Sequence, residues 1–162
     1  MLSWLFSGQF DRMPNLKIAL SEGSIGWIPS FLERGQQVID EQRYWAARGV
    51  ELPTYGSGDG GASSHALLET LHLSEMFRRH IFGCFIDDIH GLHNLDEIGE
   101  DNVMIETDYP HSDTTWPDSI GLVQKRLAHL PPGVQHKILR GNAERLYRFT
   151  PLEPHGIGEG HR

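Results

Sequence analysis

The chain has 162 residues, of which 38% are hydrophobic and 22% are charged, as is typical of one soluble domain with its own core. Its formal net charge of -8 argues against nucleic acid and anionic membrane surfaces as partners. Cys84 is the one cysteine, which excludes an internal disulfide and favours a cytoplasmic location. Residues 1–6 lack the features of a secretory signal, and no stretch approaches transmembrane length.

Apolar runs and their spacing predict helices that alternate with short strands. In chain order, residues 1–50 are predicted to form a helix (2–12), a strand (16–20), a turn (21–24) and a long helix (25–47). Residues 51–107 are predicted to form a flexible Gly- and Ser-rich loop (51–64), a helical turn (74–77), a strand (81–86), a helix (91–98) and a strand (103–107). Residues 108–162 are predicted to form helices (119–130, 134–139 and 143–147) and a disordered tail (150–162). Because each strand is followed by a helix, we expect an α/β fold with parallel strands.

Particular residues are predicted to begin or end these elements. Gly49 is predicted to end the long helix, and Ser74 to cap the helical turn. Either Asp87 or Asp88 is predicted to cap the helix over residues 91–98, and Asn142 to cap the last helix after a hinge at residues 141–142. Apolar side chains of the long helix fall mainly on one stripe: Ile28, Phe31, Leu32, Val38, Ile39 and Trp45.

Polar side chains follow the third predicted strand at the point where it ends. Glu106, Thr107 and Asp108 come directly after the apolar run, and Pro110 cannot continue a strand ladder. Asp108 and His111 therefore lie just past the carboxyl end of a buried strand. In α/β folds this edge of the sheet is where ligands and metals bind.

Five sequence motifs resemble the amidohydrolase-related family. They are FDRMPNLKI at 10–18, SEG at 21–23, IGWIP at 25–29, ETDYPH at 106–111 and GNAERL at 141–146. The resemblance extends over residues 2–149 and is to the branch of metal-dependent hydrolases that includes aminocarboxymuconate-semialdehyde decarboxylase and benzoate-type decarboxylases. It implies the C-terminal part of a TIM (β/α)8 barrel over residues 1–149, with about three parallel strand-helix units that form an incomplete barrel.

The resemblance also implies a metal site and a class of reaction. Complete family members bind a divalent metal, usually zinc, through a His-x-His pair on the first strand, a His on a middle strand and an Asp after the last strand. Asp108 matches that Asp, as a metal ligand and proton carrier, whereas this chain offers no match for the histidines. Where the decarboxylase has a functional His after the sixth strand, this chain has Glu22. The implied function is a metal-dependent hydrolase or non-oxidative decarboxylase acting on a small carboxylated or cyclic substrate.

Each candidate site residue also has a purely structural interpretation. Asp108 is either a metal ligand or an aspartate that forms a turn. Glu22 is either a general base, or a ligand to metal-bound water, or a carboxylate favoured at a helix N-terminus. His111 and Trp27 either contact substrate or are, respectively, an exposed loop histidine and a core tryptophan.

The alternative function is a catalytically inert truncated fragment, or a remnant interaction domain, that lacks most of the metal ligands. A sheet of about three strands exposes two edges, so we also expect self-association or a complementing N-terminal chain as partners.

Overall fold

The computed structural model describes residues 1–48 and 71–150. Residues 1–48 form α1 (Leu2–Phe6), α2 (Gln9–Arg12), β1 (Ile18–Leu20) and α3 (Ile28–Ala46). Residues 71–105 form α4 (Leu73–His80), β2 (Ile81–Phe85), α5 (Ile89–His93), α6 (Leu95–Ile98), a 3-10 turn (Glu100–Asn102) and β3 (Val103–Ile105). Residues 106–150 form α7 (Ser119–Leu127), α8 (Pro132–His136), a π-helical turn (Lys137–Gly141) and α9 (Asn142–Tyr147). Across these described ranges, no helix is long and apolar enough to cross a membrane.

The three strands form one parallel sheet in the order β1-β2-β3. Ile18 lies opposite Ile81 in the first pair, and Gly83 lies opposite Val103 in the second. The prediction of an α/β fold with parallel strands is therefore confirmed. Within the described residues the sheet is open, with β1 and β3 at its edges, and its strand-helix units are consistent with part of a TIM barrel.

Helices cover both faces of the sheet, which explains why β2 is buried along its whole length. Side chains alternate between the faces of a strand, so Ile81 and Phe85 share one face and pack in the main core. That core also contains Ile28, Leu32 and Ile39 of α3, Leu73 and Phe77 of α4, and Leu127 of α7. Phe82 and Cys84 belong to a second cluster, with residues of β3 and α9, and Cys84 is buried as predicted.

Asn142 holds α9 against the start of β3. Its side chain is completely buried, and its Nδ2 donates hydrogen bonds of 2.8 Å to the carbonyl oxygens of Glu100 and Val103. The prediction that Asn142 caps the last helix is wrong because its amide is used in these tertiary bonds. The predicted hinge is also absent, since a π-helical turn continues directly into α9.

Asn102 makes the same kind of connection at the start of β2. Its Nδ2 donates hydrogen bonds of 2.8 Å to the carbonyl oxygens of Arg78 and Ile81. Buried asparagines thus hold β2 and β3 at their amino ends. These ends lie on the side of the sheet opposite to the carboxyl ends of the strands.

Three other helix predictions need correction. The helix predicted over residues 2–12 is broken at Gly8, whose φ of +69° takes the backbone out of the helical region. Ser74 lies inside α4, where the Leu73 N–H bonds the Gln36 side chain of α3 instead of a local cap. The helix predicted over residues 91–98 is two short helices, because the backbone leaves the helical region at Asn94.

The apolar stripe of α3 is only partly buried. Ile28, Leu32 and Ile39 are buried. The other predicted members of the stripe are exposed: Phe31, Val38 and Trp45. The apolar periodicity correctly predicted which side of α3 faces the core. It predicted a wider buried stripe than the other described elements cover. The predictions for Gly49, residues 51–64 and residues 151–162 lie outside the described residues.

Candidate metal centre

Glu22 and Asp108 meet at the carboxyl edge of the parallel sheet. Glu22 follows the end of β1 at Leu20, and Asp108 follows the end of β3 at Ile105. Because the strands are parallel, both segments leave the sheet at the same edge, with β2 between them. One ligand atom each of Glu22, Asp108 and His111 lies within 4.8 Å of the other two.

A hydrogen bond joins Asp108 to His111. The distance from His111 Nδ1 to Asp108 Oδ1 is 2.8 Å, and the His111 N–H donates to the Asp108 carbonyl oxygen, also at 2.8 Å. The Asp108 side chain is only 7% exposed, whereas that of His111 is 66% exposed. The hydrogen bond and the negative charge of Asp108 raise the pKa of His111. This pair therefore presents one sheltered carboxylate and one imidazole that is open to a ligand.

The turn that carries Glu22 is bonded to the segment after β3. The backbone N–H of Glu22 donates to the Glu106 carboxylate, and Glu22 itself has a φ of +56°. A positive φ is uncommon for a residue with a Cβ, and Asp108 shares it with a φ of +53°. Both candidate carboxylates are thus held in left-handed backbone conformations at this edge, which are often associated with functional sites.

Asp88 also holds the turn that carries Glu22, through the residues that follow that turn. Its Oδ2 accepts hydrogen bonds from the N–H groups of Ile25 at 2.8 Å and Gly26 at 2.7 Å. Its Oδ1 accepts the Gly91 N–H at 2.8 Å, so Asp88 also caps α5, as predicted for one of the two aspartates. Burial alone would raise the pKa of Asp88, but these three backbone bonds lower it below its usual value. The turn is therefore tied both to the end of β2 and to the segment after β3.

Glu106 is the site residue that sequence reasoning did not select. Burial raises its pKa, as do the charges of Glu22 and Asp108, while the Glu22 N–H bond opposes the rise. Glu106 also contributes, after burial, to raising the pKa of Cys84 to about 11. The available signal was its position directly after β3, two residues before Asp108.

Trp27, the remaining site candidate, lies beside the turn that carries Glu22. Trp27 immediately precedes α3, its indole N–H donates to the Gly23 carbonyl oxygen at 2.6 Å, and its ring packs edge-on against Phe31. It is half-buried and borders the main core. Asp87, the other candidate for the cap of α5, instead forms a two-pronged ion pair with Arg126.

The donor set of the cluster suits a divalent cation. Two carboxylates and one imidazole are ligands that zinc and related ions accept. In a tetrahedral site with bonds of about 2.0–2.1 Å, the donors lie about 3.4 Å apart. The present separations, of up to 4.8 Å, therefore require closure by about 1.4 Å at most. Glu22 and His111 are both exposed and have room for such a movement, so the residues fit a metal ion.

Comparison with known proteins agrees with the architecture. A search of curated proteins finds no match to the chain. The sequence model of the amidohydrolase family matches residues 1–149, which is nearly the whole chain. Amidohydrolases generally use divalent metal ions. The parallel strand-helix units of this chain carry an acidic and histidine-containing cluster where the strands end. The match over residues 1–149 shows that the chain belongs to the amidohydrolase family.

Proposed function

We propose that this chain is a metal-dependent hydrolase in which Glu22, Asp108 and His111 together bind one divalent cation, with zinc the expected ion. The observation that carries the proposal is the convergence of their three ligand atoms to within 4.8 Å at the carboxyl edge of a parallel sheet. Hydrolysis is favoured over decarboxylation because Glu22 takes the position where the related decarboxylase has a functional histidine. A bound cation would act as a Lewis acid on a substrate carbonyl and would lower the pKa of water.

Asp108 is proposed to be the central ligand because it is the most sheltered of the three. Its Oδ1 lies 2.8 Å from His111 Nδ1, so the two side chains already face each other, and a cation bound between these atoms would replace their hydrogen bond. The low exposure of its side chain reduces competition from bulk water. Asp108 thus organises the other donors as well as supplying one.

Glu22 and Glu106 are proposed to transfer protons during the reaction. Glu22 is exposed and close to Asp108, so its carboxylate can accept a proton from water as a general base. The pKa of Glu106 is raised by burial and by the neighbouring carboxylates, so Glu106 holds a proton to higher pH than an ordinary glutamic acid. That property suits a group that returns a proton to a leaving amine. His111 and Trp27 are proposed to contact the substrate.

Isothermal titration of zinc into the purified chain tests this proposal. We expect one zinc per chain, and we expect Asp108→Asn and Glu22→Gln each to weaken binding about tenfold or more, because loss of a ligand costs at least as much as loss of a supporting group. The matched control is Asp96→Asn, which removes an exposed carboxylate outside the cluster and should leave the affinity unchanged.

Two results would reject the proposal. One is a folded wild-type chain that binds no zinc. The other is equal zinc affinity in wild type, Asp108→Asn and Glu22→Gln. Either result would favour the catalytically inert fragment or remnant interaction domain.

A further inference from the structure

Two aromatic side chains project from the segment that carries Asp108. Tyr109 directly follows Asp108, and its ring centroid lies 5.5 Å from that of Trp116, with the rings inclined at 55°. Each residue is 62% exposed. Exposed aromatic surface is unfavourable in water, so a pair held together in the open indicates a surface that contacts a ligand.

Backbone and hydroxyl hydrogen bonds fix the loop that presents this pair. The Thr114 hydroxyl donates to the Thr107 carbonyl oxygen at 2.6 Å and accepts the Trp116 N–H at 3.2 Å. The Thr114 N–H donates to the His111 carbonyl oxygen at 3.3 Å. These bonds connect the position of Trp116 to that of His111, so the aromatic pair and the candidate metal centre belong to one ordered loop.

The charges around the centre select against an anionic ligand. Three carboxyl groups lie together at the edge of the sheet, from Glu22, Glu106 and Asp108, and a fourth, from Asp113, acts on His111. Arg126, on the helix that follows this loop, is already paired with Asp87. A bound divalent cation would offset two of these negative charges and leave the others, so an uncharged ring, unlike an anionic one, would meet no net repulsion.

We propose that Tyr109 and Trp116 form the surface on which an uncharged planar ring of the substrate stacks. This inference rests on the proposed function, because it assigns the substrate class of the same site. Planar rings stack on aromatic side chains in offset or inclined arrangements, and the 55° angle of the pair leaves part of both ring faces open. The substrates would therefore be aromatic amides rather than saturated or carboxylated analogues.

Protein-observed NMR titration of the zinc-loaded, isotope-labelled chain tests this inference with three probes of equal ring size. Benzamide is the planar, uncharged probe, cyclohexanecarboxamide the saturated probe and benzoate the anionic probe. We expect benzamide to bind about three- to tenfold more tightly than either of the others, and to shift the indole N–H signal of Trp116. Equal affinity for benzamide and cyclohexanecarboxamide, or tighter binding of benzoate, would overturn the proposal.

Variants separate specific stacking from general adsorption to exposed rings. Tyr109→Leu and Trp116→Leu should each weaken benzamide binding about threefold or more. Trp45→Leu is the matched control, because Trp45 and Tyr44 form another exposed aromatic pair, on α3. An equal effect of Trp45→Leu would refute the assignment.

Failure of this inference is distinguishable from failure of the proposed function. Zinc binding is measured by calorimetry and does not depend on Tyr109 or Trp116. A chain that binds zinc through Asp108 but shows no ring selectivity contradicts only the stacking surface. A chain without zinc affinity contradicts the metal centre.

Discussion

Substitution of Asp88 by asparagine tests how the turn that carries Glu22 is held. Asp88 accepts three backbone hydrogen bonds, from Ile25 and Gly26 on Oδ2 and from Gly91 on Oδ1. In Asp88→Asn one oxygen becomes an amide donor, which must face at least one of these N–H groups. The better orientation keeps the bonds to Ile25 and Gly26 and loses the bond to Gly91. A hydrogen bond to a charged group contributes about 1.5–3 kcal/mol, and Asp88 is half-buried, so we expect a loss of about 2 kcal/mol in the free energy of unfolding.

The pH dependence of this loss follows from the lowered pKa of Asp88. Its usual value is 3.8, and the bonds to Gly91, Ile25 and Gly26, together with the charge of His90, bring the folded-state pKa below it despite partial burial. Because the folded pKa is lower than the unfolded pKa, the ionised carboxylate contributes its full stabilisation above the unfolded value. This contribution disappears as pH falls through the folded value. The deficit of Asp88→Asn should therefore be full at about pH 7 and shrink below about pH 4.

Urea denaturation followed by circular dichroism measures both effects. Titration from neutral pH to the lowest pH at which wild type and variant still fold gives the deficit as a function of pH. Asp87→Asn is the matched control, since its exposed ion pair with Arg126 should contribute less than about 1 kcal/mol. A deficit for Asp88→Asn no larger than that of Asp87→Asn, or a deficit that does not change with pH, would refute the reasoning.

Three further predictions concern other groups. Asn142→Ala should lower the free energy of unfolding by about 2–4 kcal/mol, because it removes the hydrogen bonds to the carbonyl oxygens of Glu100 and Val103. Asn94→Ala removes one exposed hydrogen bond and should cost about 1 kcal/mol or less in the same denaturation assay. Cys84 should not react with a thiol reagent at pH 8 until the chain unfolds, since burial raises its pKa to about 11, and rapid labelling of the native chain would contradict this. In the metal-free chain, NMR titration should show a raised pKa for His111 that falls in Asp108→Asn, and an unchanged value would contradict the ion pair.

The sheet and the position of the candidate site where its strands end were predictable because local sequence determines them. Short apolar runs that end in polar residues indicated three parallel strands, and the same pattern indicated that Asp108 follows the last of them. A cap by one of Asp87 and Asp88 was also predicted, and Asp88 supplies it through the N–H group of Gly91, three residues away. Gly8 was missed because a helical pattern on both of its sides concealed a left-handed residue.

Features that depend on contacts between residues far apart in the chain were not predictable from the sequence alone. Asn142 resembles a cap locally, but its partners lie about forty residues earlier in the chain. The environment of Glu106 arises only when the turn at Glu22 folds against it, across a separation of 84 residues. Likewise, the exposure of Phe31 and Trp45 depends on which elements cover α3, and periodicity within the helix carries no information about that.

The central claim is that Glu22, Asp108 and His111 bind a single cation, and anomalous X-ray scattering from crystals soaked in zinc tests it most directly. We expect one strong peak about 2.0–2.2 Å from a carboxylate oxygen of Glu22, a carboxylate oxygen of Asp108 and a ring nitrogen of His111. A peak only at the stacked rings of His93 and His129, which lie 5.1 Å apart on α5 and after α7, would contradict the claim. So would the absence of any ordered zinc.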